Sequence, residues 1–230
     1  MAAVIGRRLG CGVMVAALVL LSAGSASAAG GHHAVDDAGI LGPGECEQES
    51  WYSRAQGGGQ LVHAGAGCRV GPIELAAAGD LARSGGRSET AWTVQAKWAT
   101  EVADGVSIGL AVQPALLPQQ SPRFAGTTLA ALATWKPRDD LAFHLNIGRD
   151  FVNQGPDGPR NGIAAEWAPV ARWWLLAERY IEGRTHFVRA GARWVAGSNW
   201  SLDFSHAHRL SGPIPSRWTL GLTFAFGGED

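Results

Sequence analysis

The chain has 230 residues, of which 46% are hydrophobic and only 17% charged, with 32 glycines and ten tryptophans. Without Arg7 and Arg8, 17 of the 19 basic residues face 20 acidic ones, a formal charge of −3. That balance argues against a nucleic-acid partner and against a cationic membrane-surface protein, and about 200 residues is one domain's worth of an all-β chain.

Residues 1–28 read as a secretory signal peptide. Arg7 and Arg8 supply the positive start, residues 13–21 an apolar run too short to span as a helix, and Ala26-Ser27-Ala28 an A-x-A cleavage site. Cys11 lies inside this segment and not directly after the apolar run, which argues against a lipoprotein anchor. No later stretch reaches the length of a transmembrane helix. Cys46 and Cys68 remain, and in an oxidising periplasm a pair reads as a disulfide rather than a metal site. Residues 29–43 have no hydrophobic period and several turn formers, and read as a flexible, solvated periplasmic lead-in. His32-His33 and Asp36-Asp37 are metal-ligating types, but nothing fixes their geometry. No metal and no cofactor are expected.

From residue 44 to residue 226 the chain alternates apolar and polar residues at the period of a strand. The first strand, 45–54, sets Glu45, Glu47 and Glu49 against Cys46, Gln48, Ser50 and Tyr52. A three-residue turn at 56–58 would pair positions whose numbers sum to 114, placing Cys46 opposite Cys68 on the face of Val62, Ala64, Ala66 and Val70. Directly opposed positions have Cβ atoms close enough to bridge. Further strands are predicted over 73–83, 92–101, 106–113, 127–136, 141–150, 161–168, 171–180, 186–195, 199–207 and 218–226. The last sets Trp218, Leu220, Leu222, Phe224 and Phe226 on one face, with Thr219, Gly221, Thr223 and Ala225 on the other. In 127–136 the phase is ambiguous, and Leu129, Ala131, Ala133 and Trp135 are taken as the apolar set. Residues 227–230 form a short tail. Short connections at 71–72, 102–105, 137–140, 169–170 and 196–198 alternate with longer ones at 84–91, 114–126, 151–160, 181–185 and 208–217. An even strand count with short turns on one side and long loops on the other is the layout of an all-β, twelve-stranded antiparallel up-and-down transmembrane β-barrel in the bacterial outer membrane.

Alternation cannot by itself say which face meets lipid, because a soluble sandwich or lipocalin-like barrel shows the same period. The tryptophans break the tie. Trp98, Trp135, Trp167, Trp173, Trp194 and Trp200 lie on the apolar face beside short turns, as an interfacial girdle at the periplasmic level. The opposite face carries Glu166, Arg172, Glu178, Arg189, Arg193 and Asp203, costly against lipid and acceptable in a wet or ion-paired lumen. These six define the candidate solute path. They also fit a plain reading, an ion-pair network bracing the wall.

Val35-Asp36-Asp37-Ala38-Gly39, Gly42-Pro43-Gly44-Glu45, Leu176-Ala177-Glu178 and the 218–223 stretch resemble the bacterial family labelled MetA-pathway of phenol degradation. The resemblance implies an outer-membrane barrel described as a transporter, and implies location and fold more firmly than a substrate. The Gly227-Gly228-Glu229-Asp230 ending departs from the usual terminal aromatic, the feature through which the barrel-assembly machinery would be engaged.

The expected function is a passive channel or transporter for small solutes, hydrophobic or aromatic ones included, with outer-membrane lipid as its surroundings. Twelve strands enclose more than the roughly eight-strand interior that side chains fill. One alternative is a closed structural or partner-binding barrel. Another is an outer-membrane lipid hydrolase, for which Ser205, His206, His208 and Ser211 supply residue types. Ser205 and His206 are adjacent on one strand, however, and so point to opposite faces. No enzyme activity is expected.

Overall fold

The computed structural model describes residues 31–228, so the expected signal peptide lies outside the described residues. Twelve antiparallel strands form a closed ring: β1 (Glu45–Ala55), β2 (Gln60–Val70), β3 (Ile73–Ser84), β4 (Arg87–Ala103), β5 (Val106–Leu116), β6 (Phe124–Arg138), β7 (Leu141–Val152), β9 (Gly162–Val170), β10 (Trp173–Glu182), β11 (Thr185–Val195), β12 (Trp200–Ser211) and β13 (Arg217–Gly227). Each strand pairs with its neighbour in sequence, and β1 pairs with β13 to close the ring. The two-residue β8 (Gly158–Pro159) adds to the upper end of β7. No helix among the described residues is long and apolar enough to cross a membrane.

The first hairpin has the predicted register: Cys46 pairs with Cys68 and Arg54 with Gln60, and the two cysteines are bridged. Large apolar side chains point outward and stay exposed, among them Leu110, Ile147, Ile163, Phe204 and Leu220. In β6 the chosen phase is the observed one, with Leu129 and Trp135 exposed and Leu132 and Thr134 buried inward. The interior is polar, including buried Lys97, His144, Glu166, Glu178, Arg189, Arg193 and Asp203. In water such an exterior would be unfavourable over its whole girth, whereas in a bilayer it is the matched solvent.

Three predicted boundaries differ. The expected 84–91 loop is a two-residue turn, Gly85-Gly86, both with positive φ, so β3 and β4 run on together to the pair Ser84 and Arg87. Positive φ at both central positions matches the twist of a hairpin and needs no longer loop. Likewise β12 extends to Ser211, shortening the expected 208–217 loop. The turn expected at 169–170 lies at Ala171-Arg172, and β9 keeps Pro169 near its end. A register shift between Trp173 and Leu175 accompanies it, where a missing donor is tolerated.

Candidate functional site

The segment expected to be solvated lies inside the barrel. Residues 31–44 run inside the barrel and return to β1 through a turn in which the Glu45 amide donates to the Gly42 carbonyl (3.0 Å). Val35, Ala38, His32 and Asp37 are buried. The physical reason is on the wall: inward-facing charges needed partners, and this polar, turn-rich segment brings backbone amides, imidazoles and carboxylates to them.

On the β10–β12 side the Glu178 carboxylate accepts the amides of Ala34 (3.2 Å) and Val35 (2.9 Å) and pairs with Arg189 (3.0 Å). Arg189 also donates to the His32 carbonyl and to the Tyr180 hydroxyl (2.9 Å). Arg193 pairs with Asp203 (2.7 Å). His33 stands 3.8 Å from Glu178 and 3.9 Å from Asp203. Burial disfavours charge on His33, but those two carboxylates outweigh it and raise its pKa. Burial, then the His33 ring and Arg189, hold His32 well below its ordinary range, so His32 meets Ser205 Oγ (2.7 Å) as a neutral ring. Above this network Val35 packs with Tyr180, Phe187 and Ala207, with Ile214 from the β12–β13 loop against them. That is the one apolar cluster among the described residues.

Across the barrel, Lys97 on β4 donates to Asp36 (2.9 Å) and Asp37 (3.1 Å). The Ala38 amide donates to Thr134 Oγ1 (2.8 Å), which also meets His144 Nδ1 (2.9 Å). His144 lies 3.6 Å from Glu166. The Leu41 amide donates to Glu74 (3.0 Å), and Arg69 to the Leu41 carbonyl (3.0 Å). A cavity of about 190 Å³ remains against β1–β5, with Glu47, Glu49, Trp51, His63, Gln95 and Gln113 on its wall. Small residues keep it open: at Gly65 an added Cβ would lie 2.9 Å from that of Ala78. Trp51 stacks on His63 at 3.4 Å, and His63 bonds Asp80 (2.7 Å).

Of the six predicted luminal residues, Glu166, Glu178, Arg189, Arg193 and Asp203 are brought together inside the barrel. Arg172 is not. It occupies the β9–β10 turn at φ 71°, exposed, because the turn sits two residues later than predicted. The six tryptophans Trp98, Trp135, Trp167, Trp173, Trp194 and Trp200 are exposed on the outer wall, with Trp173 stacked on Trp194 and Trp194 edge-on to Trp200. The proposed hydrolase residues do not meet. Ser205 faces inward to His32, while His206 faces outward onto the Trp218 ring at 4.1 Å. Among the described residues no group of three or more metal-ligating side chains is placed to hold an ion. Missing from the prediction were Lys97, Thr134 and Glu74, the segment's partners on β4, β6 and β3, and His144 on β7, which bonds Thr134. Their signal was present as the inward phase of each strand, but the partner segment has no period to betray it.

Known proteins bear this geometry out as a fold. The family model described as uncharacterised conserved protein UCP029691 matches residues 17–226. The chain belongs to that family. No curated protein matches the chain. Among solved structures it is similar to a KdgM porin in complex with disordered oligogalacturonate, with TM-score 0.62 and 11% identity over 78% of this chain and 99% of that one. It is similar to the NanC porin, with TM-score 0.56 and 7% identity over 78% and 98%. It is also similar to the toluene transporter TbuX of Ralstonia pickettii, with TM-score 0.51 and 12% identity over 82% and 90%. At such identities the likeness establishes the barrel and nothing finer. The resemblance to the phenol-degradation family rests on its short motifs alone.

Proposed function

We propose that the protein is a gated passive channel of the bacterial outer membrane for small polar solutes, held shut by residues 31–44. The carrying observation is the way those residues fill the barrel. Val35 joins the one apolar cluster, with Ala34 against it, but the segment is tied to the wall mainly by hydrogen bonds and ion pairs, to Glu178, Lys97, Thr134 and Glu74, rather than by a continuous apolar core. Such ties can exchange for water, and the strands around them form a closed ring that does not need the segment for its ladder. The outer wall of exposed aliphatic and indole groups supports the membrane location. The fold shared with porins and a toluene transporter agrees with conduction but divides on solute, one porin being in complex with an oligogalacturonate and the transporter being one for a hydrocarbon. The lining supports the polar choice. Glu47, Glu49, Gln95, Gln113 and Lys97 border the open cavity, a surface that favours polar over hydrophobic cargo.

A closed barrel that only displays its loops is the second reading, favoured by the dense ties on the β10–β12 side. Planar bilayers separate the two. The whole protein should conduct rarely, and a variant lacking residues 31–41 should conduct steadily and let sugars and amino acids swell liposomes. Silence from both proteins, each shown to be inserted, would favour the closed barrel.

A further inference from the structure

The outer wall is hollowed over β2–β4. Ala64 and Ala66 on β2 and Ala77 and Gly79 on β3 are the floor of an apolar groove of about 580 Å³, with Trp92 and Leu116 beside it. Glycine at position 79 lets the Trp92 indole lie over β3, since a side-chain carbon built there would sit 2.8 Å from Trp92 Cζ3. Cross-strand partners share a face, so the rows above the groove can be read from the register. Ala64 pairs with Gly79, and the next outward row is Tyr52, Val62 and Leu81, all exposed. Above it come Arg54, Gln60 and Arg83, exposed as well. Arg83 stands ten residues up β3 from Ile73 at the short turn. At about 3.3 Å per residue and a tilt of about 40° that is roughly 25 Å, the height of a barrel's apolar band. Trp218 on β13 pairs with Arg54 and marks the same interfacial level. Other arginines at this end are matched, Arg149 with Asp157 (3.6 Å) and Arg160 with Asp150 (2.7 Å). Among the described residues no carboxylate pairs with Arg54 or Arg83.

We propose that this sector of the wall binds an anionic, phosphate-bearing lipid of the leaflet opposite the short turns. Arg54 and Arg83 hold the phosphate, and one acyl chain lies in the groove beneath. The two arginines are two strands apart, about 10 Å between backbones, so their long side chains can converge on one headgroup. A guanidinium meets phosphate through two parallel N–H bonds. A zwitterionic lipid brings its own ammonium to its phosphate, so charge complementarity selects the anionic one. A second copy of the chain is a poorer occupant. Docked on this face about a twofold axis, it would set arginine against arginine. The inference rests on the lipid-facing wall and holds whether or not the barrel conducts.

The test is photolabelling of the whole protein in phosphatidylcholine bilayers that hold a trace of phosphatidic acid with a diazirine in one acyl chain. Labelled peptides are mapped by mass. Each arginine at a membrane surface is worth about fivefold to an anionic lipid, so label should favour β2–β4 over β9–β11 by roughly twenty-five-fold. Arg54→Gln or Arg83→Gln alone should cut that ratio about fivefold. The two together should bring it down to the ratio given by phosphatidylcholine with the same diazirine chain. Ala77→Leu, which fills the groove and keeps both arginines, should move label off β2–β4. An equal ratio for the phosphatidylcholine probe, or one indifferent to the glutamine pair, would overturn the proposal. Displacement by inorganic phosphate as readily as by unlabelled phosphatidic acid would also overturn it, assigning the arginines to a free anion. Should Ala77→Leu fail to insert, the exposed glutamine pair still decides. Label spread evenly around the barrel would overturn the site while leaving the lipid-facing wall intact, and no conductance is read.

Discussion

Lys97→Met is the sharpest perturbation of the closing segment. Lys97 Nζ lies 2.9 Å from Asp36 and 3.1 Å from Asp37, with its side chain and that of Asp37 each 7% exposed and that of Asp36 26%. Removing one partner of a buried ion pair costs about 3–5 kcal/mol, because the charge left behind is desolvated without compensation. Partial exposure of Asp36 places the effect at the lower end, about 3 kcal/mol, which is roughly a hundredfold in the docking equilibrium at 1.4 kcal/mol per tenfold. Hydrogen exchange reads this directly, since the amides of Val35, Ala38 and Leu41 are bonded to wall side chains only while the segment is docked. Exchange at those amides should rise about a hundredfold while strand amides of β1 and β13 keep their protection. Adding Asp36→Asn and Asp37→Asn to Lys97→Met removes the carboxylates that lost Lys97 and should restore much of the loss, a coupling that a double-mutant cycle measures. Unchanged exchange at all three amides in Lys97→Met would refute the reasoning.

Gly162→Ala should loosen the same segment from the opposite wall, because the added Cβ would lie 2.5 Å from Val35 Cγ2 and 3.2 Å from the Arg179 carbonyl. Overpacking of that kind costs typically about 1–3 kcal/mol, and the check is exchange at Val35 against a Leu110→Ala control on the outer wall. Docking should also depend on pH through His33, whose pKa is raised in the folded protein. The stabilisation is complete below the unfolded value of 6.5 and is lost as pH rises through the higher folded value, so Ala34 exchange corrected for its intrinsic rate should quicken across that window. His33→Gln should flatten the dependence. Cys46→Ala with Cys68→Ala opens the bridge between β1 and β2, separated by 22 residues, and should cost about 3 kcal/mol in urea unfolding from bilayers without changing the segment's exchange.

Much of the barrel was legible because a strand writes its two faces at a period of two. The Cys46–Cys68 register followed from a single turn length, and the phase chosen for the ambiguous β6, with Leu129 and Trp135 outward, is the observed one. What failed was local or long-range. The turn expected at Pro169-Val170 falls at Ala171-Arg172, and Pro169 sits beside a register shift near the end of β9. Gly85-Gly86 was absorbed into a loop of polar residues although a glycine pair is sufficient for a tight hairpin. The closing segment was the largest miss. His32 to Gly42 carries no period, and its place is set by Glu178, Arg189, Lys97 and Thr134, residues between about 60 and 160 positions away in the chain. The charges on the wall were correctly placed in the lumen, but their partners were sought only on neighbouring strands.

Spin labels placed one at a time at Leu110 and Ala38, in protein inserted into bilayers, test the central arrangement most directly. Leu110 is 59% exposed on the outer wall and Ala38 is 3% exposed beside Thr134. The label at Leu110 should collide freely with dissolved oxygen and hardly at all with a water-soluble nickel chelate, and the label at Ala38 should be shielded from both. A nickel chelate reaching Ala38 freely, or oxygen failing to reach Leu110, would contradict a lipid-facing wall closed from within by residues 31–44.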